Sequence, residues 1–265
     1  MLFFLVINIL NIEMQVHDYK KDIKLTHQYI LNDKIDKEYL NSVVSIYDDF
    51  NMQIVKNTKM DLYDYNPSGK YKLFIDNCYK KLEKRVEEIK NDGESTQLTY
   101  PGQVYRLHKL LYYNIFKKLL LEMAVVISIC TLFLMDYERI NNTTGIVYAT
   151  KKGRTIQKSK MISAMIAGSV INGILMIGTL GYYFANISYK GLWNTSSSAM
   201  AMESRGILKY PFITYAKMSY AKYLLFTICY AAVLILLISV LSSAIQLVTN
   251  NSYKSIIIVV ITMLG

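Results

Sequence analysis

The segment Pro67-Ser68-Gly69-Lys70 is the part of this sequence closest to a phosphate-binding loop, which would make it a nucleotide site. Such a loop also needs a glycine five residues before its Gly-Lys pair and a serine or threonine after it. The chain has Asp64 and Tyr71 at those positions. His-Glu-x-x-His and Gly-x-Ser-x-Gly are likewise absent from the sequence. We therefore predict that the chain is not an enzyme and does not itself hydrolyse ATP.

Cysteine and histidine could supply metal or redox chemistry, but their spacing does not favour it. The three cysteines fall in different parts of the chain, and the three histidines lack the spacing of metal ligands. These residues are Cys78, Cys130 and Cys229, and His17, His27 and His108. We predict no disulfide framework, no metal site and no cofactor.

The segment from Asp136 to Lys160 is the most informative stretch of charged residues and glycines. Glu138 stands near its start, Gly145 and Gly153-Arg154 follow, and Lys160 ends it. An ordinary basic loop whose lysines and arginines contact lipid headgroups would have the same composition. Composition alone leaves both interpretations open.

Long apolar segments flank this charged stretch and must position it. Residues 161–185 include no charged side chain over 25 positions, and as a helix they would reach about 38 Å. Residues 111–136 and 223–248 are also long and apolar enough to cross a bilayer. We predict three full membrane spans at these positions.

Shorter apolar runs occupy both ends of the sequence, at 1–10 and 255–265. Neither is long enough to cross a bilayer as an α-helix. We interpret both as partial spans and expect the sequence to be a piece of a longer protein.

Residues 11–110 form a polar region with sixteen basic and sixteen acidic side chains. In 79–90, Leu82, Val86 and Ile89 follow one side of a helix while charged residues occupy the rest. The excess positive charge of the chain, +10 overall, lies in the loops beside the spans. Because a nucleic-acid site would concentrate that charge in the polar region, we predict no nucleic-acid partner. The fold class is therefore an all-α, polytopic helical membrane protein.

The distribution of basic residues indicates the orientation. Residues 137–160 contain six lysines and arginines, whereas the longer stretch 186–222 contains five. The positive-inside rule favours a cytoplasmic position for 137–160 and for the turn 249–254. The mostly helical domain 11–110 and the loop 186–222 would then be extracytoplasmic, in a multi-pass protein of the cell membrane.

Small and polar residues within the apolar segments suggest where helices meet. Small side chains recur in 161–185 and would let helix backbones approach closely; they are Ala164, Gly168, Gly173, Gly178 and Gly181. This interface could be static or could move. Asn172 and Gln246 should face protein rather than lipid. Glu122, three residues from the start of the apolar run 119–135, is expected in the headgroup region.

On these residues the sequence resembles the permease subunits of bacterial ABC transporters of the type 2 exporter class. In that family an acidic residue follows the second span, and the cytoplasmic segment it begins ends in Gly-Arg, with a lysine before the third span. Residues matching this pattern are Glu138, Gly145, Gly153, Arg154 and Lys160. Family members often carry a large extracytoplasmic domain between spans one and two, where this chain has 11–110. A complete member has six spans.

The resemblance implies a function and partners. Segment 137–155 would include a coupling helix that docks on a separate ABC ATPase subunit, which supplies the energy to move a substrate across the membrane. A second permease subunit and the lipid bilayer would be further partners. The alternative is a membrane-anchored sensor or binding protein with an extracytoplasmic ligand domain and no transport activity. An association with an ATPase distinguishes the two.

Overall fold

The computed structural model of the chain is predominantly helical. It describes residues 1–18, 20, 24, 47, 50–62, 67–97, 110–150, 155–187, 189, 192–199, 203–205, 208–210, 213–249 and 251–264.

The helices, in chain order, are α1 (Leu2–Asp18), α2 (Met52–Leu62), α3 (Gly69–Asn91), α4 (Leu111–Met135), α5 (Tyr137–Ile140), α6 (Thr144–Ala149), α7 (Ile156–Asn186), α8 (Tyr220–Thr249) and α9 (Ser252–Leu264). Short 3-10 turns lie at Glu94–Thr96 and Ser197–Ala199. Strand β1 (Glu203–Arg205) pairs antiparallel with β2 (Leu208–Tyr210), with Ser204 opposite Lys209.

Three of these helices, α4, α7 and α8, are long and apolar enough to cross a membrane. The prediction of three helices with the length and apolar composition of membrane spans is confirmed. Helices α7 and α8 contain the apolar segments from which they were predicted, and α4 ends at Met135, one residue before the predicted end of its segment. Helix α7 begins at Ile156, five residues before residue 161. Helix α1 likewise continues past the apolar residues 1–10 to Asp18. Polar residues at a span's end can stay helical because they reach the headgroup region.

The chain divides into two compact units. The first, which we call the membrane unit, comprises Met1–His17, Lys109–Ile187 and Thr227–Gly265. The second, the polar unit, comprises Asp18–His108 and Ser188–Phe226. The polar unit combines most of two segments that were predicted separately, 11–110 and 186–222; residues 11–17, 109–110 and 186–187 belong to the membrane unit.

The polar unit has a hydrophobic core built on α2 and α3. Its buried members include Met52 and Val55 from α2 and Val86 and Ile89 from α3. Leu82 packs against this cluster, so the predicted apolar side of α3 is confirmed. Tyr47 is fully buried in the same core, where its hydroxyl donates a hydrogen bond of 2.5 Å to the carbonyl of Ser198. Burial raises the pKa of the Tyr47 phenol, despite the opposing effect of the nearby Arg85 charge.

Candidate functional site: the segment between α4 and α7

The charged segment that follows α4 begins with a compact turn. The backbone N–H of Asp136 donates to the Leu132 carbonyl at 3.1 Å, and its carboxylate accepts a 2.6 Å hydrogen bond from Arg139. Asn142 then adopts the left-handed conformation (φ 56°), which asparagine tolerates better than most residues, and α5 gives way to α6. The segment is therefore ordered by local contacts at its start.

Glu138 and Lys160 form an ion pair that joins the two ends of this segment. Their side chains are 13% and 10% exposed. The Lys160 ammonium also donates to the Met135 carbonyl at 3.2 Å, in the last turn of α4, where a positive charge is favoured. Two residues that were singled out by the family resemblance are thus brought together, and they hold the end of α4 beside the start of α7.

Helix α6 lies in the segment between α4 and α7 and exposes apolar side chains. Ile146 is 72% exposed and Tyr148 is 51% exposed. The Tyr148 hydroxyl accepts a 2.5 Å hydrogen bond from the Gln157 amide, which links α6 to the first turn of α7. Gly145 is exposed, and no described heavy atom lies within 4 Å of where a Cβ would stand. Gly153 and Arg154, the other predicted residues, lie outside the described residues.

The exposed surface of α6 is apolar and is linked to the start of α7. A two-turn helix fixed between two spans, with an exposed isoleucine and tyrosine, resembles the apolar centre of a protein interface surrounded by charge. Among the described residues, no three His, Cys, Asp or Glu side chains are placed to hold a metal ion. The segment thus presents a short helix with exposed apolar side chains at the ends of two long apolar helices.

The small residues of α7 divide into two groups. Ala164 and Gly168 are buried, and a Cβ on Gly168 would collide with the side chain of Ile127 on α4. At Gly178 a Cβ would lie 2.8 Å from Leu5 of α1. At Gly173 and Gly181 no described atom lies within 4 Å of the corresponding position, so their predicted role in helix packing stays a prediction. Their spacing along the sequence does not bring them onto the side of α7 that packs against α4.

The polar residues within the spans are buried against protein. Asn172 and Gln246 are 2% and 5% exposed, which confirms that they face protein. The Asn172 amide donates to the Met123 carbonyl at 3.1 Å. Glu122 was expected in the headgroup region; the structure shows in addition that its side chain is buried, only 8% exposed, and accepts a 2.7 Å hydrogen bond from Asn8 of α1.

Two buried polar contacts were not predicted from the sequence. One is the contact of Glu122 with Asn8, for which the only signal was a lone asparagine in the apolar run MLFFLVINIL. The other is in the polar unit, where Arg85 of α3 pairs with Glu94. No spacing rule predicted that pair, because the two residues lie nine positions apart in different helical segments.

The Arg85–Glu94 pair connects the two segments of the polar unit. Two guanidinium nitrogens donate to the two Glu94 oxygens, each at 2.9 Å, and the Arg85 Nε donates to the Thr214 carbonyl at 3.0 Å. The Ser196 hydroxyl donates to Glu94 at 2.5 Å. Burial opposes ionisation of Glu94, but the hydrogen bonds from Arg85 and Ser196 outweigh it and lower the pKa of the carboxyl.

Comparisons with protein-family models, with curated proteins and with solved structures found no match to this chain. The function is therefore argued from the site itself.

Proposed function

We propose that this chain is the transmembrane permease subunit of an ATP-driven exporter, with ATP hydrolysed by a separate ABC ATPase subunit. The observation that carries the proposal is the ion pair between Glu138 and Lys160, which fixes an exposed docking helix at the ends of two spans. Motion of a bound ATPase would reach α4 and α7 through this short, anchored connection. Transport would follow from switching between two packings of the spans.

The proposed orientation places the segment 137–155 in the cytoplasm and the polar unit outside. Two spans, α4 and α7, separate the two stretches that form the polar unit. A chain that crosses a bilayer twice returns to the side from which it started, so both stretches can share one side, as their common unit requires. The six basic residues of 137–160 favour the cytoplasm for the opposite side.

The proposal includes a lipid bilayer around the spans and a second permease subunit beside them. Support for the bilayer comes from α8, where Leu225, Val233 and Leu237 are each more than half exposed. Side chains of this kind along a 30-residue apolar helix suit contact with acyl chains or with another helix.

The test is affinity capture of the full-length protein from detergent-solubilised bacterial membranes, with and without non-hydrolysable ATP, followed by identification of bound proteins. We expect an ABC ATPase subunit to be recovered with the unmodified chain. Arg154→Glu and Ile146→Asp should reduce that recovery by about tenfold or more, which corresponds to at least about 1.4 kcal/mol of binding free energy.

Arg205→Glu is the matched control, because it reverses an arginine of β1 in the polar unit, on the proposed opposite side of the membrane. Recovery of the ATPase should be unchanged in this variant. If the unmodified chain captures no ATPase, the exporter proposal fails, and a membrane-anchored sensor or binding protein becomes the better assignment.

A further inference from the structure

Helix α3 places its apolar residues in two different environments. Towards its C-terminal end, Val86 and Ile89 are buried in the core of the polar unit. Near its start, Leu73 and Phe74 are 64% and 63% exposed. The Phe74 ring stacks on that of Tyr71, with the ring centroids 6.4 Å apart. Scattered exposed apolar side chains are ordinary on a folded protein, but neighbouring ones of this size mark an interaction surface.

Lysines surround these exposed apolar side chains. Residues 69–81 contain four lysines, all exposed, and a single acidic residue, Asp76. The Asp76 carboxylate is already paired with Lys56 of α2 at 2.5 Å. In the rest of the helix, 82–91, three acidic and three basic residues balance. The excess positive charge of α3 therefore lies on the half that exposes apolar side chains.

Exposed apolar residues and lysines share one side of α3. At about 100° per residue, five of them fall on a face about 120° wide. These residues, which we call the α3 face, are Lys70, Leu73, Phe74, Lys80 and Lys81. Val86 and Ile89 project from the other side of the helix, into the core. The α3 face is thus free of the packing that holds the polar unit together.

The start of the helix adds to this positive surface. Ser68 precedes the helix and makes no side-chain capping hydrogen bond in the described structure, and the first turn contains no acidic residue. The partial positive charge at the helix start is therefore not offset by its own side chains. Such a helix start favours a nearby phosphate group.

Lysines beside exposed aromatic and aliphatic side chains are typical of surfaces that lie on lipid headgroups. The apolar side chains enter the boundary between headgroups and acyl chains, while the lysine ammonium groups reach the phosphates on flexible stems. An acidic protein would also attract the lysines, but this chain itself has three helices long and apolar enough to cross a membrane. The connection from α3, which ends at Asn91, to α4, which begins at Leu111, keeps α3 at a high local concentration of lipid.

We propose that the α3 face is a docking surface for anionic lipid headgroups. Leu73 and Phe74 enter the headgroup region, and the three lysines of the face pair with lipid phosphates. The proposal does not depend on the exporter assignment or on the side of the membrane that the polar unit occupies, because it rests on α3 alone.

The experiment places the full-length protein with Phe74→Trp in nanodiscs of phosphatidylcholine alone or of equal parts of phosphatidylcholine and phosphatidylglycerol. Lipids brominated on their acyl chains quench the fluorescence of a tryptophan that contacts them. The unmodified chain, whose single tryptophan is Trp193, gives the background. We expect the added tryptophan to be quenched in the anionic nanodiscs and much less in the neutral ones, and raised salt to reduce the quenching.

Reversing two lysines of the α3 face, with Lys70→Glu and Lys81→Glu together, should lower the ratio of docked to free protein by about tenfold or more. Lys90→Glu is the matched control, since Lys90 is an exposed lysine of the same helix outside the face, and it should leave the quenching unchanged. Hydrogen exchange of residues 69–81 in the unmodified chain is a second measurement and should be slower in the anionic nanodiscs.

Two outcomes would overturn the proposal. If neither lipid quenches the added tryptophan or slows exchange, the α3 face does not contact the bilayer, and a protein partner becomes its better occupant. If both lipids quench it equally, with and without the lysine reversals, the charge of the headgroups plays no part in the contact.

Discussion

Two buried glutamates show how differently the two units of this chain treat a charge. In the polar unit, Glu94 is fully buried and receives three charge-assisted or hydroxyl hydrogen bonds, two from Arg85 and one from Ser196. In the membrane unit, Glu122 is nearly as buried but accepts a single hydrogen bond from a neutral amide.

The difference lies in how well each buried carboxylate is compensated. A buried ion pair with satisfied hydrogen bonds holds its surroundings in one arrangement, and Glu94 connects the turn after α3 to the segment containing Ser196. Glu122 instead accepts one hydrogen bond from a neutral amide, which compensates a carboxylate less well. The contact at Glu94 is thus expected to be the more rigid of the two.

The largest effect is expected when the compensated pair is broken. Glu94→Ala leaves the Arg85 guanidinium, which is 3% exposed, buried without its main partner. We expect the free energy of unfolding of the polar unit to fall by about 3–5 kcal/mol. Hydrogen exchange of the α3 amides in the full-length protein measures this loss.

Glu88→Ala provides the control for that measurement, since Glu88 is a second partner of Arg85 at 3.6 Å but is 49% exposed. Its removal should cost less than about 1 kcal/mol. Equal losses of unfolding free energy in the two variants would mean that burial does not decide how much each carboxylate stabilises the polar unit. That result would contradict the comparison of the two glutamates.

Acid should weaken the same contact without a mutation. The pKa of Glu94 is lower in the folded than in the unfolded chain, so its contribution to stability is complete above the unfolded value of about 4.3. That contribution is lost as the pH falls through the lower, folded value. The α3 amides of the unmodified protein should therefore lose protection from hydrogen exchange as the pH falls. In Glu94→Gln the stability should be lower at neutral pH and should depend less on pH.

The opposite sign is expected at Glu122. At about pH 8, Glu122→Gln replaces a buried carboxylate that accepts one hydrogen bond from a neutral amide and keeps the shape of the side chain. Replacing such a charge by a neutral group is often neutral or stabilising by about 1–4 kcal/mol. The melting temperature should stay constant or rise, whereas Glu94→Gln should lower it. A marked fall in the melting temperature of Glu122→Gln would mean that the Glu122 carboxylate stabilises the fold, as that of Glu94 does.

The spans could be predicted because their information is local. Uncharged runs such as 161–185 require a low-dielectric environment whatever their neighbours are, and α4, α7 and α8 follow from composition. The apolar side of α3 was predictable for the same reason, since Val86 and Ile89 repeat at helical spacing.

The partners of individual residues were not predictable in this way. Arg85 lies in a charged helical run whose neighbours suggested solvent exposure, and its burial depends on Glu94 and the Thr214 carbonyl. Glu138 and Lys160 were selected by a family resemblance, and only the structure shows that they pair. Long-range contacts of this kind depend on chain topology, which composition and spacing do not specify.

The smallest effect tests whether packing rather than charge compensation holds the membrane unit together. A Cβ at Gly168 of α7 would collide with Ile127 of α4, so Gly168→Ala must displace that side chain. We expect it to lower the stability of the purified protein by about 1–3 kcal/mol.

Gly173→Ala on the same helix meets no described atom within 4 Å and should cost nothing or gain up to about 1 kcal/mol from helix propensity. Thermal melting of the two variants in one detergent gives the comparison. If both alanines are tolerated equally, close approach at Gly168 is not what joins α7 to α4, and polar contacts such as that of Asn172 with the Met123 carbonyl would carry more of the association.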